Sequence, residues 1–188
     1  CVFELDAKQA AERFEQWIRK RRFCRKELKT SVHPKRFKGI FLPCWTFDTH
    51  TDTTYDAAYG IHYQKTKGGT VINWGGCCGS YREFIDDQVV DGSTRHEKDF
   101  SNISRVFRTG DNKIYRQEYL AGFAVERYSV DLKDAWERAK KLIFARLERH
   151  VRNKILAECH ADEVKDLKMT TSYARIQYKL LLLPVWVI

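Results

Sequence analysis

The sequence predicts an α+β fold with a mixed or antiparallel sheet and two main amphipathic helices. Two charged segments repeat their apolar residues at helical spacing. The segments that follow them are apolar or alternating and rich in β-branched and aromatic residues, which favours strands. The motif Leu-Pro-x-Trp occurs at residues 42–45 and again at residues 183–186, each time after a helical segment. We therefore expect an internally duplicated helix–strand unit.

The composition indicates a folded domain with a substantial core. Of the 188 residues, 43% are hydrophobic and 13% are aromatic, while only 3 are proline and 10 are glycine. We predict a single α+β domain over residues 1–188, with pseudo-repeat halves at about residues 1–90 and 120–188. Because the chain begins with Cys1 rather than Met, we expect it to be a fragment of a longer chain.

The net charge of +9 suggests nucleic acid, an anionic membrane surface or an acidic protein as partner, without choosing among them. No apolar run approaches the ~20 residues of a membrane span, and no signal peptide precedes the first helix. The six cysteines show no C-x-x-C and no zinc-finger spacing with histidine. We expect reduced thiols in a cytoplasmic protein.

The first helix is predicted over residues 7–22, with Asp6 as its N-cap. Its apolar face comprises Ala10, Phe14, Trp17, Ile18 and Arg21. The helix ends in a basic cluster of Arg19, Arg21, Arg22, Arg25 and Lys26. This cluster fits a solvated helix end whose cations suit the C-terminal dipole, and it equally fits a patch that contacts phosphates.

A strand and a hairpin are predicted next. Residues 39–47 read as an apolar strand, in which Pro43 implies an edge position, a strand start or a bulge. Residues 59–66 and 70–74 flank a Lys-Gly-Gly turn and are expected to form a β-hairpin. The glycine-rich residues 75–79 lack the pattern of a phosphate-binding loop, and we expect a tight bend there.

The predicted hairpin interleaves aromatic and basic residues. Tyr59, Tyr63 and Trp74 lie among histidine and lysine side chains, a composition that suits base stacking. The same residues also fit an ordinary half-buried β-ribbon. Both interpretations remain open.

The second half of the chain is predicted to contain one long helix and one long strand. Residues 80–90 read as a strand or a turn and strand, and residues 115–124 are expected to pack against the core. Asp131 is the expected N-cap of a helix over residues 132–157. Its apolar stripe comprises Trp136, Ala139, Ile143, Leu147, Val151 and Ile155. Residues 173–180 alternate between two strand faces, and the strand then becomes wholly apolar, as if entering the interior.

Three groups of residues are candidates for chemistry. Asp48, His50 and Asp52 alternate, so a continuing strand would place them on one face, where they suit either a divalent metal or a polar strand end. The adjacent Asp86 and Asp87 suit acid–base chemistry only within a turn, and Cys78 is a candidate thiol. No recognised catalytic motif accompanies them. We therefore predict no enzymatic activity and no cofactor in this region.

Several short motifs occur in an order that resembles one family of bacterial and archaeal proteins of poorly defined function. The longest matching stretch is Lys-Gly-Ile-Phe-Leu-Pro-Cys-Trp-Thr-Phe-Asp at residues 38–48, followed by residues 54–60. Further matches are Phe-Ile-Asp-Asp (84–87), Tyr-Leu-Ala-Gly-Phe (119–123), Glu-Arg-Tyr (126–128), Ala-Trp (135–136) and Leu-Leu-Pro-Val-Trp (182–186). The resemblance covers nearly the whole chain.

Members of this family usually carry an N-terminal zinc ribbon of the transcription-factor-IIB type, and some are labelled replication-restart-helicase-like. The present residues lack the cysteine pairs of that ribbon, so the resemblance implies zinc only in a ribbon outside this region. They also lack a nucleotide-binding loop, and the helicase label finds no support in them.

The resemblance implies a non-enzymatic adaptor or scaffold domain, because some relatives appear in gene settings with membrane-stress and flotillin-like proteins. We expect a protein partner, and contact with a membrane only through that partner. The alternative is a nucleic-acid-binding module that uses the basic helix end and the aromatic hairpin. A third class, a metal- or thiol-dependent enzyme, would depend on Asp48, His50 and Asp52 or on Cys78.

Overall fold

The computed structural model describes residues 2–21, 33–65, 68–95 and 112–188. Within these ranges it contains two α-helices and a mixed sheet of four strands, which confirms the predicted fold class. In chain order the elements are α1 (Ala7–Arg19), β1 (Lys38–Gln64), β2 (Thr70–Asp91), β3 (Ala124–Val125), α2 (Leu132–Glu158) and β4 (Glu163–Val187).

The sheet is built around β1, with which each of the other three strands pairs. β3 runs parallel to β1, with Ile40 opposite Ala124 and Phe41 opposite Val125. β1 and β2 are joined by a short connection that closes with a 2.9 Å hydrogen bond from Lys65 N to Gly69 O. Strands joined so closely must pair antiparallel, so the hairpin is confirmed and the sheet is mixed.

Both hairpin strands are longer than predicted. β1 continues through the polar, threonine-rich residues after Phe47, where several threonines are buried. Their hydroxyls are satisfied locally; Thr51 Oγ1, for example, donates a 2.8 Å hydrogen bond to the Glu83 carbonyl of β2. The buried threonines after Phe47, which are Thr49, Thr51 and Thr53, therefore all have a hydrogen-bond partner on a neighbouring strand.

The glycine-rich residues 75–79 lie inside β2, so the predicted tight bend was wrong. Among them, Gly75, Gly76 and Gly79 all have negative φ, and none needs the freedom of glycine to turn the chain. A Cβ atom at Gly75 would instead lie 2.6 Å from the Tyr59 hydroxyl, and one at Gly79 would lie 2.6 Å from the Tyr55 hydroxyl. These two glycines leave room for tyrosine rings of β1.

The chain folds as two compact units, each assembled from separated segments. The first unit comprises Cys1–Trp45, Val89–Ala135 and Leu180–Ile188, and the second comprises Thr46–Gln88 and Trp136–Lys179. Each unit takes segments from both predicted halves, residues 1–90 and 120–188. The unit boundaries differ from those halves because β1, β2, α2 and β4 each contribute residues to both units.

In the first unit, α1 begins with a capping box. Gln9 N donates to Asp6 Oδ1 at 2.8 Å, and Asp6 N donates to Gln9 Oε1 at 3.1 Å, which confirms Asp6 as the N-cap. The helix ends at Arg19 rather than at residue 22. Its Ala10 and Ala11 pack against Phe37, whereas Trp17, which the spacing places on the apolar face, is 49% exposed.

The two Leu-Pro-x-Trp motifs both lie in strands and bury their leucines, Leu42 and Leu183. Their tryptophans differ, since the Trp45 indole donates a 3.0 Å hydrogen bond to Val130 O while Trp186 packs 4.8 Å from the Phe3 ring. The connection from helix to strand also differs in length between the two copies. β1 begins at Lys38, long after α1 ends at Arg19, whereas β4 begins at Glu163, soon after α2 ends at Glu158. The duplication therefore remains a prediction from the sequence.

Pro43 lies inside β1, just beyond the point where pairing with β3 ends. Glu126 N donates to Phe41 O, and Gly92 N donates to Pro43 O at 3.0 Å, so both carbonyls point to the β3 side. A proline nitrogen has no hydrogen to donate. The missing donor thus faces the side on which β3 stops, and Pro43 is not at the start of the strand.

In the second unit, α2 packs its apolar stripe against one face of the sheet. Asp131 caps the helix through a 2.8 Å hydrogen bond from Asp134 N to its Oδ1 atom, as predicted. Val151 and Ile155 form a buried cluster with Tyr55 and Ala57 of β1. The fully buried residues of the stripe are Ala139, Ile143, Leu147, Val151 and Ile155. Neither described helix is long and apolar enough to cross a membrane.

The predicted alternation of β4 over residues 173–180 fails because Arg175 has a φ of 53°. A residue of this kind is typical of a bulge, which re-aims the side chains that follow it. Ile176, Tyr178 and Leu180 are exposed, and the chain becomes buried only at Leu183. The apolar end of the strand does enter the interior, but later than predicted.

The segment at residues 115–124 packs against the core only at its end. Tyr115 is exposed, which contradicts the prediction for this part. Phe123 stacks on Phe3 with the ring centroids 4.2 Å apart. Residues 117–120 form a single 3-10 turn, so the segment has too little regular structure to bury every aromatic side chain.

The glycines of β2 provide a matched test of its packing. We expect Gly79→Ala to destabilise the fold by about 1–3 kcal/mol, because the added methyl group overlaps the buried Tyr55 ring. Gly76→Ala should change stability by no more than about 0.5 kcal/mol, since nothing lies within 4 Å of the new Cβ position. Urea unfolding measures both, and equal effects would contradict this packing.

Candidate functional site

One face of the sheet in the second unit is covered by α2, and the opposite face is not. Tyr55, with Gly79 beneath its ring, packs in the cluster with α2. Alternation along β2 places Trp74, Arg82 and Phe84 on the other side. We call this side the open face. Its side chains are His50, Asp52 and His62 of β1, Ile72, Trp74, Arg82 and Phe84 of β2, and Lys165, Ser172 and Ala174 of β4.

One end of the open face forms a groove of about 330 Å³. The His50 and Phe84 rings lie 4.8 Å apart, and Arg82 Nε donates to Asp52 Oδ2 at 2.7 Å. Phe84 is 51% exposed although it is a large apolar residue. The groove therefore presents a phenyl ring and a guanidinium group together, and phenylalanine and arginine are both enriched at protein interfaces.

A second apolar region of the open face lies around Trp74. A Cβ atom at Gly60 would lie 2.8 Å from Ile72 Cγ2 and 3.1 Å from Trp74 Cζ3, so Gly60 lets these side chains lie flat over β1. Lys165 Nζ lies 3.4 Å from the centroid of the Trp74 ring. Trp74 and Ile72 are each 38% exposed. The open face thus carries large apolar side chains in both regions.

The three aromatic residues of the predicted base-stacking hairpin are not brought together. Tyr59 lies against Gly75, and Trp74 lies against Gly60. Since Trp74 and Gly75 are consecutive in a strand, they face opposite sides, and so do Trp74 and Tyr59. Tyr63 is exposed and shares the side of Tyr59 by alternation. No single stacking surface contains all three.

The predicted basic patch is described only in part. Arg19 pairs with Glu15 at 2.7 Å on the solvated side of α1. The Arg21 guanidinium lies 4.1 Å from the centroid of the exposed Trp17 ring. Arg22, Arg25 and Lys26 lie outside the described residues.

Asp48, His50 and Asp52 belong to one continuous strand but do not share a ligand site. His50 stacks on Phe84, and Asp52 pairs with Arg82. Asp48 is instead grouped with Asp86 and Asp87, and one oxygen from each of these three lies within 4.8 Å of the others. The sequence indicated the neighbouring aspartates but not their meeting with Asp48.

This acidic group depends on a local backbone feature of β2. Asp87 has a φ of 49°, and its backbone N donates a 2.8 Å hydrogen bond to Asp48 Oδ1. The positive φ interrupts the alternation that would send Asp86 and Asp87 to opposite faces. Aspartate is among the residues that adopt this conformation most often.

A lysine of β4 provides the counter-ion for the acidic group. Lys179 Nζ lies 3.3 Å from Asp48 Oδ2 and 3.6 Å from Asp87 Oδ1. The hydrogen bond to Asp48 raises the pKa of Lys179 above its usual value. We therefore interpret these residues as an ion-pair network that links the strands.

A second charged network links β2 to α2. Glu83 accepts a 2.9 Å hydrogen bond at Oε2 from His150 Nδ1 and pairs through Oε1 with Arg146. Burial alone would raise the pKa of Glu83. The hydrogen bonds from His150 and Arg146 have a larger, opposite effect, so the pKa of Glu83 lies below its usual value. The Tyr81 hydroxyl lies 3.3 Å from the same His150 nitrogen.

The cysteines near the glycine-rich segment differ in exposure. Cys77 is partly buried against the cluster beneath α2, which also contains Cys159. Burial and the neighbouring Cys159 raise the pKa of Cys77, which disfavours the reactive thiolate. Cys78, the candidate thiol, is exposed and lies on the opposite side of β2.

No protein-family model matches the chain, and no solved structure matches it. The chain is 21% identical over 189 residues to the uncharacterized protein YdjG of Bacillus subtilis strain 168. The match covers 99% of this chain and 54% of that protein. The chain therefore spans about half the length of the curated relative that it matches.

Because of the charged network of Glu83, we expect the free energy of unfolding to decrease as the pH is lowered. Because the pKa of Glu83 is depressed in the fold, its contribution is present above the unfolded value of about 4.3 and is lost as the pH falls through the folded value. Glu83→Gln should lower stability near pH 7 and flatten the decline below about pH 5. Urea unfolding across this range measures both effects. Glu12→Gln, at an exposed glutamate, is the control, and an unchanged slope in Glu83→Gln would contradict the assignment.

Removal of the Lys179 counter-ion should lower the stability of the fold. Lys179→Met leaves the nearly buried carboxylates of Asp48 and Asp87 without a cation, and we expect a loss of about 1–2 kcal/mol. Lys168→Met, at an exposed position on the same strand, should change stability by less than about 0.5 kcal/mol. Adding Asp87→Asn to Lys179→Met should restore part of the loss. Equal stability of the two lysine variants would overturn the interpretation.

Proposed function

We propose that this chain is a non-enzymatic protein-binding domain, an adaptor or scaffold, and that the open face is its docking surface. The observation that carries the proposal is the contrast between the two faces of one sheet. α2 buries one face, whereas the other exposes Phe84 beside Arg82 in one region and Trp74 with Ile72 in another.

The chemistry of the open face suits a protein partner. Large apolar side chains grouped on an exposed surface mark interaction sites in soluble proteins. Tryptophan and arginine are also the side chains most enriched among residues that contribute strongly to protein binding. The groove beside Phe84 lies along the sheet surface, as suits a macromolecule more than an enclosed small ligand.

The resemblance noted in the sequence supports a finer version of this proposal. It implies a cytoplasmic adaptor that works near the membrane through a partner, in the setting of membrane-stress or flotillin-like assemblies. It also implies that any zinc is bound by a ribbon of the transcription-factor-IIB type outside residues 1–188. Membership of that zinc-ribbon family is part of the proposal.

Nucleic-acid binding is the alternative, and one observation favours it. The exposed Trp17 ring with the Arg21 guanidinium against it, close to Arg19, presents an aromatic surface and positive charge together. Such a pair suits a single-stranded nucleic acid. Binding of this kind should weaken steeply with salt, unlike the docking of apolar side chains.

A matched pair of double variants tests the docking surface. In the tagged full-length protein, Trp74→Ala with Phe84→Ala removes two side chains that are 38% and 51% exposed on the open face. Leu142→Ala with Phe144→Ala removes side chains that are 49% and 38% exposed on α2. We expect the first variant to capture at least tenfold less partner than the wild-type protein, as measured by quantitative mass spectrometry, because such residues contribute most of the binding energy at interfaces. The second variant should capture as much partner as the wild-type protein.

A photo-crosslinking residue at position 84 should join the same partner that the Trp74→Ala and Phe84→Ala variant loses, and one at position 144 should not. Equal loss in both double variants would contradict the open face as the docking surface. Binding that disappears with nuclease and falls steeply with salt, and that Arg19→Ala with Arg21→Ala abolishes, would support the nucleic-acid alternative instead.

A further inference from the structure

β2 has an edge that carries no paired strand. Within the described residues, β2 pairs with β1 alone and ends the strand order. Residues 71–81 of β2, which we call the uncharged run, contain no aspartate, glutamate, lysine or arginine. All of them are exposed or partly exposed, and Gly76 has nothing within 4 Å of its Cβ position. The run therefore presents backbone donors and acceptors with little side-chain cover.

The opposite edge of the same sheet is protected in the ways that natural proteins use. β4 has two positive-φ residues, Asp166 at 53° and Arg175 at 53°, which interrupt its regular pairing geometry. It also carries Lys165 and Lys168, and lysines on an edge discourage pairing with another strand. The uncharged run has none of these features, since it contains no proline and no positive φ.

We propose that a second copy of this chain pairs its β2 antiparallel to β2 along the uncharged run, with Gly76 at the two-fold axis. This surface is the edge of the sheet rather than its open face, and of the open-face side chains it includes only Ile72 and Trp74. The inference therefore does not depend on the adaptor function.

The register follows from self-complementarity. In an antiparallel pair, directly opposite residues lie on the same face, so the two-fold axis must pass through a residue position. Gly76 is the midpoint of the uncharged run, and an axis there pairs each uncharged residue with another uncharged residue. Trp74 then lies opposite Cys78, and Ile72 lies opposite Ser80, so large side chains face small ones.

The pairing would supply about as many hydrogen bonds as a typical specific protein interface. A run of this length gives on the order of ten backbone hydrogen bonds, which is within the range of specific protein interfaces. The two-fold arrangement is closed, because each copy uses the one edge of this sheet that is unprotected within the described residues. We therefore expect a dimer and no further growth.

The test is the oligomeric state of the full-length protein. Sedimentation equilibrium between about 1 and 100 µM should show a monomer–dimer equilibrium for the wild-type protein. Gly76→Lys places two positive charges directly opposite each other in the dimer, and we expect the dissociation constant to rise by about tenfold or more. The open space above Gly76 allows the folded monomer to accept this side chain, which circular dichroism checks.

Thr170→Lys is the matched control, because it adds the same charge at an exposed position on the protected strand β4. It should dimerise like the wild-type protein. Hydrogen exchange on the wild-type protein gives a measurement that needs no variant, since the amides of residues 71–81 that point away from β1 should exchange faster on dilution. A wild-type monomer throughout the concentration range, or equal dissociation constants for Gly76→Lys and Thr170→Lys, would overturn the proposal. Growth beyond the dimer would overturn it as well.

Discussion

The structure depends on the burial of β1, the strand with which each of the other strands pairs. Its residues from Phe41 to Thr49 are all buried, and Thr49 and Thr51 donate hydrogen bonds to carbonyl groups of neighbouring strands. A strand that is covered on both sides must satisfy its polar atoms within the protein. This requirement explains why a polar, threonine-rich segment continues a strand that begins as an apolar one.

The inequality of the two sheet faces in the second unit follows from side-chain size along β1 and β2. Tyr55 and Tyr59 lie over Gly79 and Gly75 on the side of α2, where the rings add to the core. On the opposite side, Gly60 accommodates Trp74 and Ile72, and neither of the two described α-helices covers them. Glycines thus admit aromatic rings on both faces, but of these rings only that of Tyr55 is buried.

Charged residues also link the elements of the second unit. Glu83 joins β2 to α2 through Arg146 and His150, and Lys179 joins β4 to the aspartates of β1 and β2. Each of these carboxylates is mostly buried, so removal of its partner costs more than formation of the pair contributes. These residues therefore have structural roles within the second unit.

Sequence reasoning succeeded where a local pattern decides the structure. The N-caps Asp6 and Asp131, the stripe of α2 and the hairpin turn at Gly68 and Gly69 all depend on residues close in sequence. It failed at residues 75–79, since the glycines there serve tyrosines of another strand. It also failed at Arg175 and Asp87, because a positive φ in a non-glycine residue leaves no clear sequence signal. Sequence reasoning also missed the open face, because the exposure of its side chains depends on which face of the sheet α2 covers.

The most direct measurement of the central claim is hydroxyl-radical footprinting of the full-length protein, alone and bound to its partner. In the free protein, Phe84 and Trp74 should be oxidised readily, while Tyr55 beneath α2 should be protected. On binding, oxidation of Phe84 and Trp74 should fall, and oxidation of Phe144 on α2 should stay unchanged. Protection of Phe84 and Trp74 in the free protein, or protection of Phe144 alone on binding, would contradict the claim that the open face is the docking surface.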